Sequence, residues 1–281
     1  MTRHEVNGIG LNVETGGDGP PLLLLHGFTG SGATWAPHLP ALTPHVTAVA
    51  VDLIGHGASD APVEPLHYRM DAQVRDLWGL ADALGYAETS IGILGYSMGA
   101  RVALQMAAAA PARVSRLILE GGTPGLADDA ERRARRAADE RLAFDIELRG
   151  VEPFVDSWEA QPLFATQQPL PAEVREALRR ERLRNTPVGL ANSVRCNSVG
   201  AQQSLWDRLA TIAMPTLLIA GALDWKFADI ATAMAARTPA AQLAIVPDAG
   251  HAVHLEQPQE FDRLVVDFLS ETHGQCSIRV I

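Results

Sequence analysis

Six short apolar runs punctuate the chain, each ending in glycine or a polar turn: "PLLLLHG" (21–27), "VTAVAVDLIGHG" (46–57), "SIGILGYS" (90–97), "SRLILEGG" (115–122), "PTLLIAGALD" (215–224) and "AQLAIVPDAGH" (241–251). They lack the apolar–polar alternation of a half-exposed strand, so they predict strands covered on both faces, as in a parallel sheet between helical layers. Between them the periodicity becomes helical. Asp71 is placed to cap a helix with Val74, Leu77, Ala81 and Leu84 on one face and Gly85 just past its end. "MGARVALQMAAAAP" predicts a helix stopped before Pro111. This alternation, with right-handed crossovers, predicts an α/β fold on a mostly parallel, doubly wound sheet. The opening "EVNGIGLNVETGG" carries an Asn-Gly turn, the pattern of a hairpin at an antiparallel edge.

The alternation breaks between 123 and 210. "ADDAERRARRAADERLAFDIELRG", "EPFVDSWEAQPLF", "PAEVREALRRERLRN" and "PVGLANSVRCNSVGAQQSLWDRLA" all read as helix, with no strand signal among them. The expectation is an all-helical cap at 123–210, inserted after the fourth run over the carboxyl edge of a core made of 1–122 and 211–272. The tail 273–281 carries no pattern that assigns it a structure.

A chain of 281 residues accommodates one large domain, or a core with an insertion. Apolar residues make up 47% and aromatics 5%, so the core must be built mostly of Ala, Leu, Val and Ile. A formal net charge of −10 argues against nucleic acid and anionic membrane as partners. Cys196 and Cys276 lie far apart and match no metal or disulfide pattern, which makes them reduced bystanders. The N-terminus lacks the apolar core of a secretory signal, and no apolar run is long enough to span a membrane. A cytoplasmic protein without membrane insertion is expected; oligomeric state is not legible. Charge is unevenly spread. Residues 123–210 hold 13 Arg against 14 Asp and Glu, whereas the rest holds 10 basic against 19 acidic residues. Solvated helix faces with i,i+4 pairs account for most of these arginines.

The third run leads into "ILGYSMGARVAL" (93–104), a Gly-x-Ser-x-Gly turn between a buried strand and a helix. This is the context of a nucleophile elbow, in which Gly95 and Gly99 permit a sharp turn that lifts Ser97 from the strand end. A serine needs a base, and the base needs an acid to fix its tautomer. Asp224 and His251 each end a later apolar run, and the order Ser…Asp…His is that of α/β-hydrolases. Asp248 and His254 are the nearest competitors. Asp248 sits too close to His251 in sequence to orient it, and His254 reads as a structural or rim residue. Oxyanion donors are expected from the backbone N–H of Met98, after the nucleophile, and of Phe28 in "LHGFTGSG". That loop lacks the glycine spacing of phosphate or dinucleotide sites, and no His/Cys cluster suggests a metal. The predicted chemistry needs no cofactor.

Arg101 stands in the first turn of the helix after Ser97, where the helix dipole disfavours a cation by about 0.3–1 kcal/mol. The helix itself supplies no reason for a cation at that position.

From about residue 20 to 270 the chain resembles the α/β-hydrolase superfamily. Several segments are similar to the 2-succinyl-6-hydroxy-2,4-cyclohexadiene-1-carboxylate synthases of menaquinone biosynthesis: "GYSMGAR" (95–101), "EGGTPGLADDAERRARRAADE" (120–140), "WEAQPLF" (158–164), "GALDWKF" (221–227) and "AGHAVHLEQP" (249–258). The first and last are generic to the superfamily; the other three are more specific. The resemblance implies a lyase that eliminates pyruvate from 2-succinyl-5-enolpyruvyl-6-hydroxy-3-cyclohexene-1-carboxylate, a trianion, with Ser97, Asp224 and His251 as triad. It also implies Arg101 and one arginine of the first cap helix as carboxylate binders. The match falls on Arg136, with Arg135 and Arg133 open. Tyr96 and Trp158 would line the pocket. Lys226, the only lysine, fits the family pattern without a role beyond a surface ion pair. The same triad would equally serve an ester or carbon–carbon bond hydrolase, and a non-enzymatic small-molecule receptor is a further alternative.

Overall fold

The computed structural model describes residues 2–271, and the tail 273–281 lies outside them. The opening hairpin joins β1 (Thr2–Val6) to β2 (Ile9–Gly16). Its turn puts Asn7 at φ 52° and Gly8 at φ 81°. Both residue types tolerate this left-handed conformation, which matches the twist of the paired strands. β3 (Pro21–Leu25), β4 (Thr47–Val51), β5 (Ile91–Tyr96), β6 (Val114–Glu120), β7 (Thr216–Gly221) and β8 (Ala241–Val246) follow, one for each apolar run. The sheet order is β1-β2-β4-β3-β5-β6-β7-β8. β2 meets both its neighbours antiparallel, and every pairing from β4 to β8 is parallel.

Register explains why these strands tolerate no polar alternation. Ala50, Leu24, Leu94, Ile118 and Leu217 form one row across five strands. They are buried against α1 (Leu39–Leu42) and α10 (Pro258–Ser270). The residues just before them, such as Leu23, Ile93 and Leu117, face the other way. There they pack against α2 (Met70–Ala83), α3 (Met98–Ala109) and α8 (Trp225–Ala235). Consecutive side chains of a strand point to opposite faces, so a strand between two helical layers must be apolar throughout.

α2 departs slightly from expectation. It begins at Met70 after Arg69, which places Asp71 inside the first turn, paired with Arg69. A preceding turn of 3₁₀ helix at Pro65–Tyr68, whose Tyr68 carbonyl accepts from Gln73 Nε2, brings the chain in already coiled. Asp71 still complements the helix dipole there.

Between β6 and β7 lie α4 (Asp129–Arg149), α5 (Val151–Glu159), α6 (Ala172–Arg182) and α7 (Pro187–Cys196), with no strand among the described residues. Their own small core joins Ala143, Ile146, Phe154, Val155, Leu190 and Val194. Two predicted helices end early. After α5 the chain tightens to 3₁₀ at Pro162–Gln167, and after α7 it runs as turns until Trp206–Thr211. α7 stops at Asn197, whose carbonyl accepts a hydrogen bond from Arg101 rather than continuing the helix. The remaining helix, α9 (Val253–Glu256), follows β8. No helix among the described residues is long and apolar enough to cross a membrane.

Candidate active site

β5 ends in the turn that carries Ser97. Its backbone lies at φ 51°, ψ −103°, outside the regions a serine ordinarily occupies. Close packing enforces this. A Cβ on Gly95 would meet the carbonyl oxygen of Gly99 at 2.3 Å, and one on Gly99 would meet that of Leu25 at 2.1 Å. The Ser97 N–H donates to the Glu120 carbonyl at 2.8 Å, tying the turn to the end of β6.

Asp224 follows β7 and His251 follows β8, and the parallel sheet brings both to the carboxyl edge beside Ser97. His251 Nδ1 lies 2.7 Å from Asp224 Oδ2, and Nε2 lies 3.0 Å from Ser97 Oγ. The carboxylate only accepts, so it holds the proton on Nδ1 and leaves Nε2 free to receive the serine proton. Gly121, at φ 57°, sits against the imidazole; a Cβ there would come within 3.0 Å of His251 Cε1. Of the two competitors, Asp248 is exposed, and His254 is buried with Nδ1 2.9 Å from Glu120 Oε1. His254 is thus a structural partner of a fully buried carboxylate.

Phe28 and Met98 flank the serine. Their N–H groups donate to no protein acceptor among the described residues; Met98 opens α3, where a free N–H is the rule.

A cavity of about 590 Å³ opens over Ser97, of a size for a small molecule. Tyr96 and Trp158 both line it. The Tyr96 ring packs between His251 and His254, with centroids at 5.5 and 4.5 Å, and burial beside Glu120 raises its phenol well above the usual range. Trp158 meets Phe28 edge-on at 5.3 Å, joining the helical segment to the loop behind the serine.

Positive charge reaches the cavity from four helices. Arg101 reaches it from α3, its Nη1 held by the Asn197 carbonyl and Gln202 Oε1, both at 2.7 Å. Burial, and then the charge of Arg135, push Arg101 down to about 10, so it remains a cation at neutral pH. From α4 it is Arg135 that lines the cavity, where the sequence match fell on Arg136 and left Arg135 and Arg133 open. Residues 135, 138, 139 and 142 line the cavity at helical spacing, while Arg136 turns aside and donates to the Gly200 carbonyl at 2.6 Å. Arg133 is exposed and lies off that face. Lys226 also lines the cavity, and among the described residues it forms no ion pair, contrary to the surface pairing expected of it. Among the lining residues that the sequence did not single out are Arg182 and Glu181 at the end of α6.

A family model of the α/β hydrolase fold matches residues 20–258. A protein of Serratia proteamaculans (strain 568) named 2-succinyl-6-hydroxy-2,4-cyclohexadiene-1-carboxylate synthase is 33% identical over 253 residues, covering 90% of this chain and 94% of its own. A Bacillus subtilis (strain 168) relative, whose name carries that activity provisionally, is 43% identical over 249 residues, with 89% and 90% covered. The chain belongs to the 2-succinyl-6-hydroxy-2,4-cyclohexadiene-1-carboxylate synthase family of α/β hydrolases. A solved structure of MenH from S. aureus superposes with a TM-score of 0.87 at 34% identity, over 92% of this chain and 97% of that one. Membership in the synthase family and the α/β hydrolase fold therefore agree with the similarity seen in the sequence.

Proposed function

We propose that this enzyme eliminates pyruvate from 2-succinyl-5-enolpyruvyl-6-hydroxy-3-cyclohexene-1-carboxylate, giving 2-succinyl-6-hydroxy-2,4-cyclohexadiene-1-carboxylate in menaquinone biosynthesis. The observation that carries this reading is a hydrolase-type serine whose cavity is lined by several cations. Arg101, Arg135 and Lys226 all border the space over Ser97. A neutral ester gives no reason for that much positive charge, whereas a substrate with three carboxylates does.

Ser97, His251 and Asp224 act as a general base in this scheme. His251, held by Asp224, takes the Ser97 proton, and Ser97 Oγ removes the proton α to the succinyl ketone. The C–H electron pair moves into the enolate, whose oxygen is stabilised by the N–H groups of Phe28 and Met98. Collapse of the enolate breaks the ring carbon–oxygen bond and expels enolpyruvate, which takes the proton from His251 and tautomerises to pyruvate. The serine regains its proton from the substrate, so no covalent intermediate forms. Arg101 and Arg135 bind substrate carboxylates while Tyr96 and Trp158 pack its apolar faces. No cofactor enters the scheme, and the ligand is a small anion rather than a nucleic acid or a membrane.

The test is a paired assay. The enolpyruvyl substrate, generated enzymatically, is supplied alongside a generic aryl ester, and pyruvate release is followed against ester cleavage. Fast pyruvate release with feeble esterase activity supports the lyase. Strong esterase activity without pyruvate overturns it in favour of a hydrolase.

A further inference from the structure

The loop that presents the Phe28 N–H is gripped from above by side chains that the scheme just given does not use. Glu181, at the end of α6, accepts through a single oxygen from Ser31 N–H at 2.7 Å, Ser31 Oγ at 2.7 Å and Thr34 Oγ1 at 3.2 Å. One turn on, the buried Asn185 donates from Nδ2 to the Thr29 carbonyl at 2.8 Å. Thr29 itself is held at φ 72°, a conformation that a β-branched residue adopts only under constraint. From below, the core supplies the opposite grip: His26 Nε2 accepts from Leu53 N–H at 3.0 Å, and Gly32 N–H donates to Asp52 Oδ1 at 2.6 Å. A carboxylate on the wall of an anion-binding cavity repels the ligand. Three donors on one oxygen of Glu181 supply the reason it is there.

We infer that Glu181 and Asn185 are positioning residues, through which the end of α6 fixes the 29–34 loop and thereby aims the Phe28 N–H at the developing enolate oxygen. The inference rests on the oxyanion role proposed above for Phe28. It makes the helical segment part of the catalytic apparatus rather than a cover: seating α6 on the core completes the donor pair. If the grip is released, Thr29 relaxes towards negative φ and the adjoining peptides turn. The Phe28 donor then leaves its line while Arg101, Arg135 and the triad stay in place.

The variants are E181A, E181Q and N185A in the full chain, with pyruvate release as one readout and inhibition by an alkyl trifluoromethyl ketone as the other. The ketone's adduct with Ser97 places an oxyanion on the same N–H groups whatever the natural substrate. E181A and N185A should lower kcat about tenfold or more with KM changed less than about threefold, because the loss falls on the transition state. Ketone affinity should fall in step. E181Q keeps an acceptor oxygen and should recover most of both. A rise in KM with kcat preserved, or unchanged kcat and ketone affinity in folded variants, overturns the inference. If E181A fails to fold, N185A and E181Q decide it. Weaker ketone binding in the variants, with no pyruvate released by the parent enzyme, leaves the grip standing and removes the lyase reading instead.

Discussion

Gln202 fixes Arg101: its Oε1 and the Asn197 carbonyl together occupy both hydrogens of Nη1, each at 2.7 Å. The rest of the guanidinium fork has no protein partner among the described residues and borders the cavity over Ser97. A pre-aimed fork of this kind suits a carboxylate, which it can meet with two parallel bonds. R101A should lower kcat/KM for the enolpyruvyl trianion about ten- to hundredfold, the equivalent of about 1.5–3 kcal/mol. R101K should recover little, since an ammonium cannot reproduce the fork. Aryl-ester turnover should change far less; equal losses on both substrates would remove the carboxylate role.

Arg135 and Arg136 offer an internal control on one helix. Arg135 lines the cavity and pairs with Asp139 at 2.7 Å, whereas Arg136 holds the Gly200 carbonyl. R135A should raise KM for the trianion about tenfold, and R136A should leave KM within about twofold while lowering thermal stability. Steady-state kinetics and a melting curve on each variant check this. The reverse pattern would return the role to Arg136.

These two arginines also show where a sequence ceases to be legible. That Ser97, Asp224 and His251 meet was readable because each ends a buried apolar run, and parallel strands deliver their ends to one edge. On a helix, a shift of one residue turns a side chain by about 100°, so neighbours in sequence face different surroundings. No periodicity in the arginine-rich α4 distinguishes them, because most of that helix is solvated. Glu181 was invisible for a different reason. Its partners Ser31 and Thr34 lie 150 and 147 residues away, and nothing local marks a contact across that distance. Asp71 was misread as a cap because an upstream 3₁₀ turn starts the helix one residue before it.

Asp224→Asn tests the orienting acid. Asparagine keeps the shape but can present its amide to His251 Nδ1, which favours the tautomer with the proton on Nε2. Ser97 then loses its acceptor. The pyruvate-release kcat should fall about a thousandfold or more, with KM nearly unchanged. A drop below tenfold would mean that His251 needs no orienting carboxylate.

The elbow should be intolerant of a single methyl group. At Gly99 a Cβ would overlap the Leu25 carbonyl oxygen at 2.1 Å, and backbone on both sides leaves no flexible atom to yield. G99A should cost about 1–3 kcal/mol of stability or more, as overpacking does. Gly85 is the contrast: its φ of 91° disfavours a side chain, but nothing lies within 4 Å of a Cβ there. G85A should therefore be the milder change. Urea unfolding of both variants gives the comparison, and equal losses would show that steric overlap at the elbow is relieved by movement.

Mild acid should loosen the loop behind Ser97. His26 and His56 are fully buried with ring centroids 5.2 Å apart. Burial lowers both, His56 from 6.5 to about 3, where the neighbouring His26 adds to the effect. His26 must be neutral to accept the Leu53 N–H, since a proton on Nε2 would set donor against donor. The unfolded chain binds these protons at a pH near 6.5 and the folded chain does not. Stability is therefore full above that value and declines as pH falls below it, by up to about 1.4 kcal/mol per pH unit for each histidine. Urea unfolding at about pH 7 and about pH 5.5 should show the loss, and H56N should flatten the slope by removing one titrating group. A slope unchanged in H56N would mean that His56 takes up no differential proton on unfolding.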